Sequence, residues 1–364
     1  MGAPPLDGIR VVETATYMSG PWAGAMLADL GADVVRVEPP GGDPFRRFGR
    51  PTATPYSPVW AATNRGKRAV VADLKTPEGV DALLALVDEA DVFLANWRPA
   101  VAERLGVGDA VFAARNPSLI RLWLSGVGAT GPHASEPAFD TVIQARSGLT
   151  DAVARGDGFE LAVGYPVDKS TALMAAQAAL AALVGRARTG EGACIELSML
   201  DAMAYVNLPD LLANRVFVDV EAPARHAHAT AQATFPASDG AFVLALVSGR
   251  QIKAGCAVCG HPEWAADLFA MDQADMVRTI VERFSPVTAT EPVTHWVERF
   301  GAEDIPVARC LTIDEHLADA QVAHNELYRI EDWPGVGRVR TVRYPATSDA
   351  WGGRLWPPGP APSV

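Results

Sequence analysis

Residues 8–38 read GIRVVETATYMSGPWAGAMLADLGADVVRVE, and this stretch decides the fold. The apolar run from Ile9 to Glu13 is typical of a buried strand. Ser19-Gly20-Pro21 then begins a helix that continues through Leu30, because proline is tolerated in the first turn of a helix. Gly31 ends this helix, and Asp33 to Val37 returns as a second strand. The strand–helix–strand order predicts a parallel pair with a right-handed crossover.

The same alternation continues along the first half of the chain. Further strands are predicted at Ala69–Leu74, Val92–Ala95, Leu119–Leu124 and Ala193–Leu197. A helix begins near Thr76-Pro77-Glu78, and the Ala- and Leu-rich segment Ser170–Arg188 has strong helix propensity. Ser198 is predicted to cap a last helix that ends near Leu212. This pattern predicts an α/β fold with a Rossmann-like parallel sheet in a large domain.

The character of the sequence changes after residue 212. Residues 213–229 are predicted to form a linker, which becomes rich in Ala, His and Pro toward its end. Residues 230–312 are predicted to form a smaller α+β domain. Ser238-Asp239-Gly240 reads as a turn between two strands, and helical patterns cover Met276–Phe284 and Pro292–Phe300.

The composition excludes several classes of function. The chain has 364 residues and a net charge of −12, so its surface as a whole should repel nucleic acid and acidic membranes. We therefore expect any anionic ligand to be held by a local cluster of donors. No apolar run reaches the ~18 residues needed to cross a bilayer, and the first residues do not resemble a secretory signal. We expect a cytoplasmic protein whose partners are small molecules.

The four cysteines do not indicate a metal site. Cys256-Ala-Val-Cys259 has the spacing of half a zinc or redox motif, but no second pair completes it. We interpret these two residues as half-buried thiols on one helix, and we expect no metal.

Several ordered stretches resemble the class III CoA-transferases, the family that includes formyl-CoA transferase, carnitine-CoA transferase and α-methylacyl-CoA racemase. The resemblance covers about residues 5 to 205. It is carried by Pro5-Leu6-Asp7-Gly8, Gly20-Pro21, Leu27-Ala28-Asp29-Leu30-Gly31-Ala32-Asp33, Asn64-Arg65-Gly66-Lys67, Asp73-Leu74-Lys75, Asn96-Trp97-Arg98-Pro99, Arg104-Leu105-Gly106, Gly131-Pro132, Phe139-Asp140, Asp168 and Arg188-Thr189-Gly190. It implies an interlocked homodimer, and a large CoA-binding domain of residues 1–212 that is completed by a return segment, residues 313–364.

Asp168 is the candidate nucleophile. It follows Gly164-Tyr165-Pro166-Val167 and precedes the Ala-rich helix, where backbone N–H groups and the helix dipole favour a negative charge. A carboxylate can take up an acyl group from sulfur as a mixed anhydride. From the residues alone, the alternative is that Asp168 only caps the helix. The resemblance implies the catalytic role, through an aspartyl anhydride and an aspartyl-CoA thioester.

The resemblance also implies which residues bind coenzyme A: Lys75, Asn96, Trp97 and Arg104. A phosphate would be bound by the guanidinium of Arg104 and by the point charge of Lys75. The alternative is that these cations are solvated surface charges. Met18 and Pro39 depart from the pattern of formyl-CoA transferase, and no Gly-rich loop is found in the small domain, which argues against formyl or oxalyl substrates.

Three other functions are alternatives to the transferase. A racemase acting at Cα of a 2-methylacyl-CoA needs two acid/base groups, and family racemases have a His-Asp pair where this chain has Phe139-Asp140. Phenylalanine cannot carry a proton, so the transferase is favoured. A nicotinamide-dependent dehydrogenase would need G-x-G-x-x-G after the first strand, which is missing. A non-catalytic paralogue that binds CoA is the third alternative.

Overall fold

The computed structural model describes residues 2–49, 53–154, 158–219, 233–333 and 336–356. The chain divides into two compact units: unit 1 comprises Met1–Thr150, Leu161–Asn207 and Gln321–Val364, and unit 2 comprises Asp151–Glu160 and Leu208–Ala320. Of the predicted linker, residues 213–219 are described and begin with a 3-10 turn at Ala213–Val216. Residues 220–229 lie outside the described residues. The functional assignment of the two domains stays a prediction.

Unit 1 is built on a six-stranded sheet in the order β3-β2-β1-β4-β5-β6, in which every neighbouring pair is parallel. The strands are β1 (Arg10–Glu13), β2 (Asp33–Glu38), β3 (Lys67–Val71), β4 (Val92–Ala95), β5 (Ile120–Ser125) and β6 (Ala193–Ser198). This is the order of a doubly wound Rossmann-like sheet, so the predicted α/β class is confirmed. The order reverses between β1 and β4, which opens a crevice at their carboxyl ends.

Helices cover both faces of this sheet. They are α1 (Ser19–Asp29), α2 (Pro58–Thr63), α3 (Pro77–Asp88), α4 (Pro99–Arg104), α5 (Asp109–Arg115), α6 (Asp140–Arg146), α7 (Leu149–Ala152), α8 (Pro166–Thr189) and α9 (Met199–Val206). Buried residues of β1, β4 and β5 pack on one face with α1 and α8. Phe93 and Phe112 belong to the core on the other face, with α3 and α5.

Small side chains bring α1 and α8 close together. Ala172, Ala175 and Ala179 of α8 are fully buried, as are Ala23 and Ala25 of α1. By length and composition alone, α8 could cross a membrane. A core helix that packs against a sheet has the same composition, and the buried alanine face of α8 is such a contact.

Unit 2 has its own core around a three-stranded antiparallel sheet, β7 (Phe235–Ala237), β8 (Gly240–Leu244) and β9 (Val307–Arg309). Its helices are α10 (Leu208–Leu212), α11 (Gly249–Val258), α12 (Trp264–Leu268), α13 (Gln273–Thr288), α14 (Val293–Ala302) and α15 (Ile313–Ala318).

The chain then returns to unit 1 at Gln321, within α16 (Ala320–His324). It goes on to form the hairpin β10 (Tyr328–Trp333) and β11 (Gly337–Val342), and the short pair β12 (Thr347–Ser348) and β13 (Gly353–Arg354).

Some predicted boundaries were wrong. The strand expected at Ala69–Leu74 begins earlier, because Lys67 and Arg68 pair with Val34 and Val35 of β2. The helix expected to end near Leu212 is interrupted at Asn207, so it forms α9 and α10. The helix expected at Ser170–Arg188 begins four residues earlier, at Pro166.

Candidate active site

A cavity of about 280 Å³ lies in unit 1 at the crevice between β1 and β4. In open α/β sheets, ligands bind outside the carboxyl ends of the strands at this kind of reversal. The wall is formed where the strands end and the connections begin: Thr16, Tyr17 and Ser19 after β1, Asn96, Trp97 and Arg98 after β4, Ser125 at the end of β5 and Gly126 after it, together with Phe139 and Asp168. The topology of the sheet therefore brings residues that are far apart in sequence into one site.

Asp168 lies on the wall of this cavity and is partly exposed. The alternative that it caps α8 was wrong: the N-cap is Tyr165, in a left-handed conformation (φ 60°, ψ 55°), and Pro166 begins the helix. Asp168 is the third helical residue, so its carboxylate is available for other contacts. The neighbouring Lys169 extends over the ring of Trp22, 5.9 Å from its centroid.

The carboxyl of Asp168 has a strongly shifted pKa. Burial raises the pKa to about 7, and the negative charge of Asp140 adds to this shift. Hydrogen bonds from the side chain and the backbone N–H of Ser19 act in the opposite direction. Ser19 is the first residue of α1, so the positive end of that helix faces the carboxylate. At neutral pH a substantial fraction of Asp168 is ionised and poorly solvated, which is suitable for a nucleophile.

Asp140 positions the first turn of α8. It is buried, and its Oδ2 accepts the backbone N–H of Asp168 at 3.0 Å. Its Oδ1 accepts Nε2 of Gln144 at 2.6 Å. The side-chain Oε1 of Gln144 in turn accepts the N–H of Ala162 at 2.9 Å, so the chain that leads into α8 is fixed from α6.

Asn96 fixes the loop that follows β1. Its Oδ1 accepts the N–H of Thr16 at 3.0 Å, and its Nδ2 donates to the carbonyl of Thr16 at 2.8 Å. This side chain, predicted to bind CoA, therefore also joins the ends of β1 and β4.

A buried ionic network lies beneath the same loop. Arg36 is 2% exposed, and its guanidinium contacts Glu13 at 2.8 Å, Glu38 at 2.8 Å and Asp43. Nζ of Lys67 donates to Glu13 at 2.8 Å. Burial lowers the pKa of Lys67 to about 8. With Arg46 paired to Glu38 at 2.8 Å, acidic and basic groups are equal in number, as a buried network requires.

The other predicted CoA-binding residues are divided between two locations. Trp97 lines the cavity and packs edge-on against Phe93. Lys75 and Arg104 are exposed, and neither belongs to the described cavity wall. Sequence reasoning missed Arg98, which lines the cavity with a guanidinium 3.3 Å from the carbonyl of Ser135. Its place beside Asn96-Trp97 was the available signal.

The cysteines take no part in this site. Cys256 and Cys259 are fully buried in the core of unit 2, so the expectation that they are half-buried was wrong. Burial raises the pKa of Cys259 to about 12. Among the described residues, no group of three or more His, Cys, Asp or Glu side chains is arranged to hold a metal ion.

Unit 2 contains a larger cavity of about 1520 Å³, which is lined by residues such as Leu246, Phe269 and Met276.

Comparison with known proteins gives a consistent result. The family model described as CoA-transferase family III matches residues 6–363. Succinate–glutarate CoA-transferase of Agrobacterium fabrum is 33% identical over 359 residues, which are 93% of this chain and 88% of that protein. Acetyl-CoA:oxalate CoA-transferase of Acetobacter aceti is 33% identical over 322 residues, 85% of this chain and 82% of that protein.

A solved structure has the same fold. The orthorhombic crystal form of Rv3272 from Mycobacterium tuberculosis matches with a TM-score of 0.84 and 28% sequence identity, and the match covers 100% of this chain and 98% of that one. The family model spans nearly the whole chain, and both relatives exceed 30% identity over most of it. The chain therefore belongs to CoA-transferase family III and is an enzyme of that class.

Proposed function

We propose that this enzyme moves CoA between an acyl-CoA thioester and a free carboxylic acid through covalent attachment to Asp168. The observation that carries the proposal is the carboxylate itself. It is partly exposed in a cavity at the carboxyl ends of the strands, and the N-terminus of α1 faces it. Such a group is positioned to attack a thioester that enters the cavity.

The proposed transfer has four covalent steps. A carboxylate oxygen of Asp168 attacks the thioester carbon, the C–S bond breaks, and a mixed anhydride and a CoA thiolate result. The thiolate then attacks the Asp168 carbonyl, which releases the first acid as a carboxylate and leaves an aspartyl-CoA thioester. The acceptor carboxylate attacks the carbonyl carbon of this thioester, the C–S bond breaks, and a second anhydride and the CoA thiolate result. The thiolate finally attacks the acceptor's carbonyl carbon, which gives the new acyl-CoA and frees Asp168 with one oxygen from the acceptor.

The electrostatics favour the first step. Asp140 repels the ionised form of Asp168, and acylation of Asp168 removes that negative charge. Repulsion therefore raises the energy of the free carboxylate relative to the acylated residue. The hydrogen bonds from Ser19 and the dipole of α1 act in the other direction and keep part of Asp168 ionised, as a nucleophile requires.

The substrates are proposed from chemistry and from the relatives. CoA would be held by Lys75, Asn96, Trp97 and Arg104, as the family resemblance implies. The relatives are named for succinate, glutarate and oxalate; since the sequence argues against oxalyl substrates, succinate and glutarate are the first acceptors to test. Both relatives are named as transferases, which leaves the racemase alternative without support. Phe139, at the position of the racemase histidine, lines the cavity with an apolar ring.

The quaternary structure is part of the proposal. We expect the interlocked homodimer implied by the resemblance. Large apolar side chains that are well exposed in the single chain are consistent with a partner surface: Val163, Phe159, Val218 and Val247 are at least 79% exposed. Light scattering during size exclusion measures the mass directly, and a monomeric active enzyme would contradict this expectation.

The mechanism is tested by following the carboxyl oxygens of the acceptor acid into the enzyme. The enzyme is incubated with succinyl-CoA and with glutarate whose carboxyl oxygens are isotopically heavy, and the peptide that carries Asp168 is weighed by mass spectrometry. We expect one heavy oxygen in Asp168 after a single turnover, with succinyl-CoA no more than equimolar to the enzyme, and up to two after many turnovers. If transfer proceeds while the peptide keeps its natural mass, the covalent route is wrong. If succinyl-CoA and glutarate are not turned over, other acyl-CoA donors and carboxylic acids are tested in their place.

Matched variants complete the test. Asp168→Asn should abolish transfer while CoA still binds. Asp201 is the control because it occupies the same third position of a helix, α9, whose N-cap is Ser198. Asp201→Asn should keep full activity, since Asp201 is not among the cavity-lining residues. Full turnover by Asp168→Asn would reject the mechanism.

A further inference from the structure

Tyr17 has a conformation that an aromatic residue seldom adopts. Its φ is +65°, in the left-handed region where a Cβ atom is unfavourable. Such residues cost of order 1–3 kcal/mol and persist only where their surroundings hold them in place. Tyr17 lies two residues before Ser19, the residue that donates hydrogen bonds to Asp168. The conformation of Tyr17 therefore sets where α1 begins relative to the nucleophile.

Contacts on both sides hold this loop. On one side, the side chain of Asn96 makes two hydrogen bonds to the backbone of Thr16. On the other side, the N–H of Tyr17 donates to Oδ2 of Asp43 at 3.2 Å. The Tyr17 ring packs against Phe45 and Phe139, at 5.9 and 5.0 Å between centroids.

Asp43 is itself immobilised. It is 2% exposed, and the Oδ2 that accepts from Tyr17 also contacts the guanidinium of Arg36. Its Oδ1 accepts the N–H of Phe45 at 2.8 Å, and its own N–H donates to Glu38 at 3.0 Å. A buried carboxylate with all these partners has little freedom to reorient.

We propose that Asp43 is a positioning residue for the transfer reaction: by holding the N–H of Tyr17, it keeps Ser19 at the start of α1 in contact with Asp168. This inference rests on the proposed role of Asp168. It adds a chain of contacts from the buried network to the nucleophile, which runs Arg36, Asp43, Tyr17, Ser19, Asp168. Asp43 lies outside the described wall of the cavity, so it acts through the loop.

The test compares two substitutions at one position. Asp43→Ala removes both acceptor oxygens. Asp43→Asn keeps one oxygen, which can accept from Tyr17 and Arg36, but its amide nitrogen cannot accept the N–H of Phe45, so that one hydrogen bond is lost. Loss of the contact frees the loop to leave the strained conformation, so the Ser19 hydrogen bonds weaken. Those bonds lower the pKa of Asp168, whereas burial and Asp140 raise it. The acid limb of kcat/KM should therefore move to higher pH in Asp43→Ala.

A control separates positioning from general loss of stability. Asp29 is 4% exposed, pairs with Arg65 at 3.1 Å, and lies at the opposite end of α1. Asp29→Ala removes a buried carboxylate of similar burial without touching the loop. Urea unfolding places the three variants on one stability scale, and assays are run well below each melting temperature.

The expected result has three parts, measured with the donor–acceptor pair that the wild type turns over fastest. In Asp43→Ala, kcat falls at least tenfold, the Kd for CoA changes less than threefold, and the acid limb moves upward. Asp43→Asn recovers most of the kcat, and Asp29→Ala keeps the wild-type pH profile. If Asp43→Ala matches Asp29→Ala in kcat and pH profile, the inference is overturned.

The two proposals can fail separately. If Asp168→Asn remains active, the proposed function is wrong whatever Asp43 does. If Asp168→Asn is inactive and the folded Asp43 variants behave like the wild type, only the positioning role is wrong. Should Asp43→Ala not fold, Asp43→Val takes its place, because valine fills more of the site than alanine and offers no acceptor to the N–H of Tyr17; the same kcat and pH profile are expected.

Discussion

The backbone N–H of Asp168 donates to the buried carboxylate of Asp140 at 3.0 Å, so one acidic residue holds another in place. The bond fixes the first turn of α8, while the negative charge raises the pKa of Asp168. A single neighbour thus fixes the position of the proposed nucleophile and adds to the rise in its pKa that burial causes.

Removing the charge of Asp140 should shift the pH profile. Asp140→Asn keeps an oxygen that can accept the Asp168 N–H but removes the repulsion, so the pKa of Asp168 falls. We expect the acid limb of kcat/KM to move to lower pH by about one unit. Rate measurements from pH 5 to pH 9, about the range in which such groups titrate, check this. An unmoved acid limb would show that Asp140 has no electrostatic effect on the reacting group.

Asp168 should destabilise the folded protein at neutral pH. Its pKa is about 7 in the folded state, above the ordinary value of 3.8 for an aspartate, so its unfavourable contribution to stability grows as pH rises from 3.8 to 7. Asp168→Asn is therefore expected to raise the free energy of unfolding by about 1–2 kcal/mol at pH 8 or so, since partial exposure reduces the full linkage value. At a pH near 4 the two proteins should be equally stable. Urea unfolding at both pH values tests the sign, and a variant less stable at pH 8 than at pH 4 relative to wild type contradicts it.

The buried network should be sensitive to loss of one member. Lys67→Met leaves Glu13 with Arg36 as its remaining ionic partner in the described network, and we expect a loss of about 3–5 kcal/mol. The control is Arg68, the residue after Lys67 in β3, which forms an exposed ion pair with Asp33 at 2.7 Å. Arg68→Met should cost about 1 kcal/mol or less. Comparable losses in the two variants would refute the contrast.

Two glycines in helices should respond in opposite ways to alanine. A Cβ atom at Gly24 of α1 would lie 1.9 Å from Oε2 of Glu13, whereas a Cβ at Gly185 of α8 meets nothing within 4 Å. Gly24→Ala should destabilise the protein by at least about 2 kcal/mol, since it displaces a buried carboxylate. Gly185→Ala should stabilise it by about 0.5–1 kcal/mol, because alanine has the higher helix propensity. Thermal unfolding tests both predictions: the Tm should fall in Gly24→Ala and rise in Gly185→Ala.

The sequence predicted the layout of unit 1 well because its signals are local. Strands such as Val92–Ala95 are short apolar runs, and the first helix begins at Ser19, as its Ser-Gly-Pro signal indicated. The start of α8 was missed because Tyr165, a left-handed residue, and Pro166 turn the chain before the alanine-rich segment begins. Local propensity does not report a conformation that tertiary contacts impose.

The candidate site was only partly predictable for a similar reason. The family resemblance led to Asp168, but the residues that act on it lie far away in the chain: Ser19 is 149 positions earlier and Asp140 is 28. Lys67 and Glu13 are 54 residues apart and meet only because β1, β2 and β3 are neighbours in the sheet. Their partnership depends on strand order, which no single stretch of sequence contains.

The reversal of strand order between β1 and β4 has an evolutionary consequence. Apart from Phe139 and Asp168, the cavity residues named above lie at the carboxyl ends of strands or on the connections that leave them, while the strand interiors form the core. Exchanging side chains on those connections can retune which acids are accepted without disturbing the scaffold. Members of this family can therefore differ in substrate while keeping the same fold.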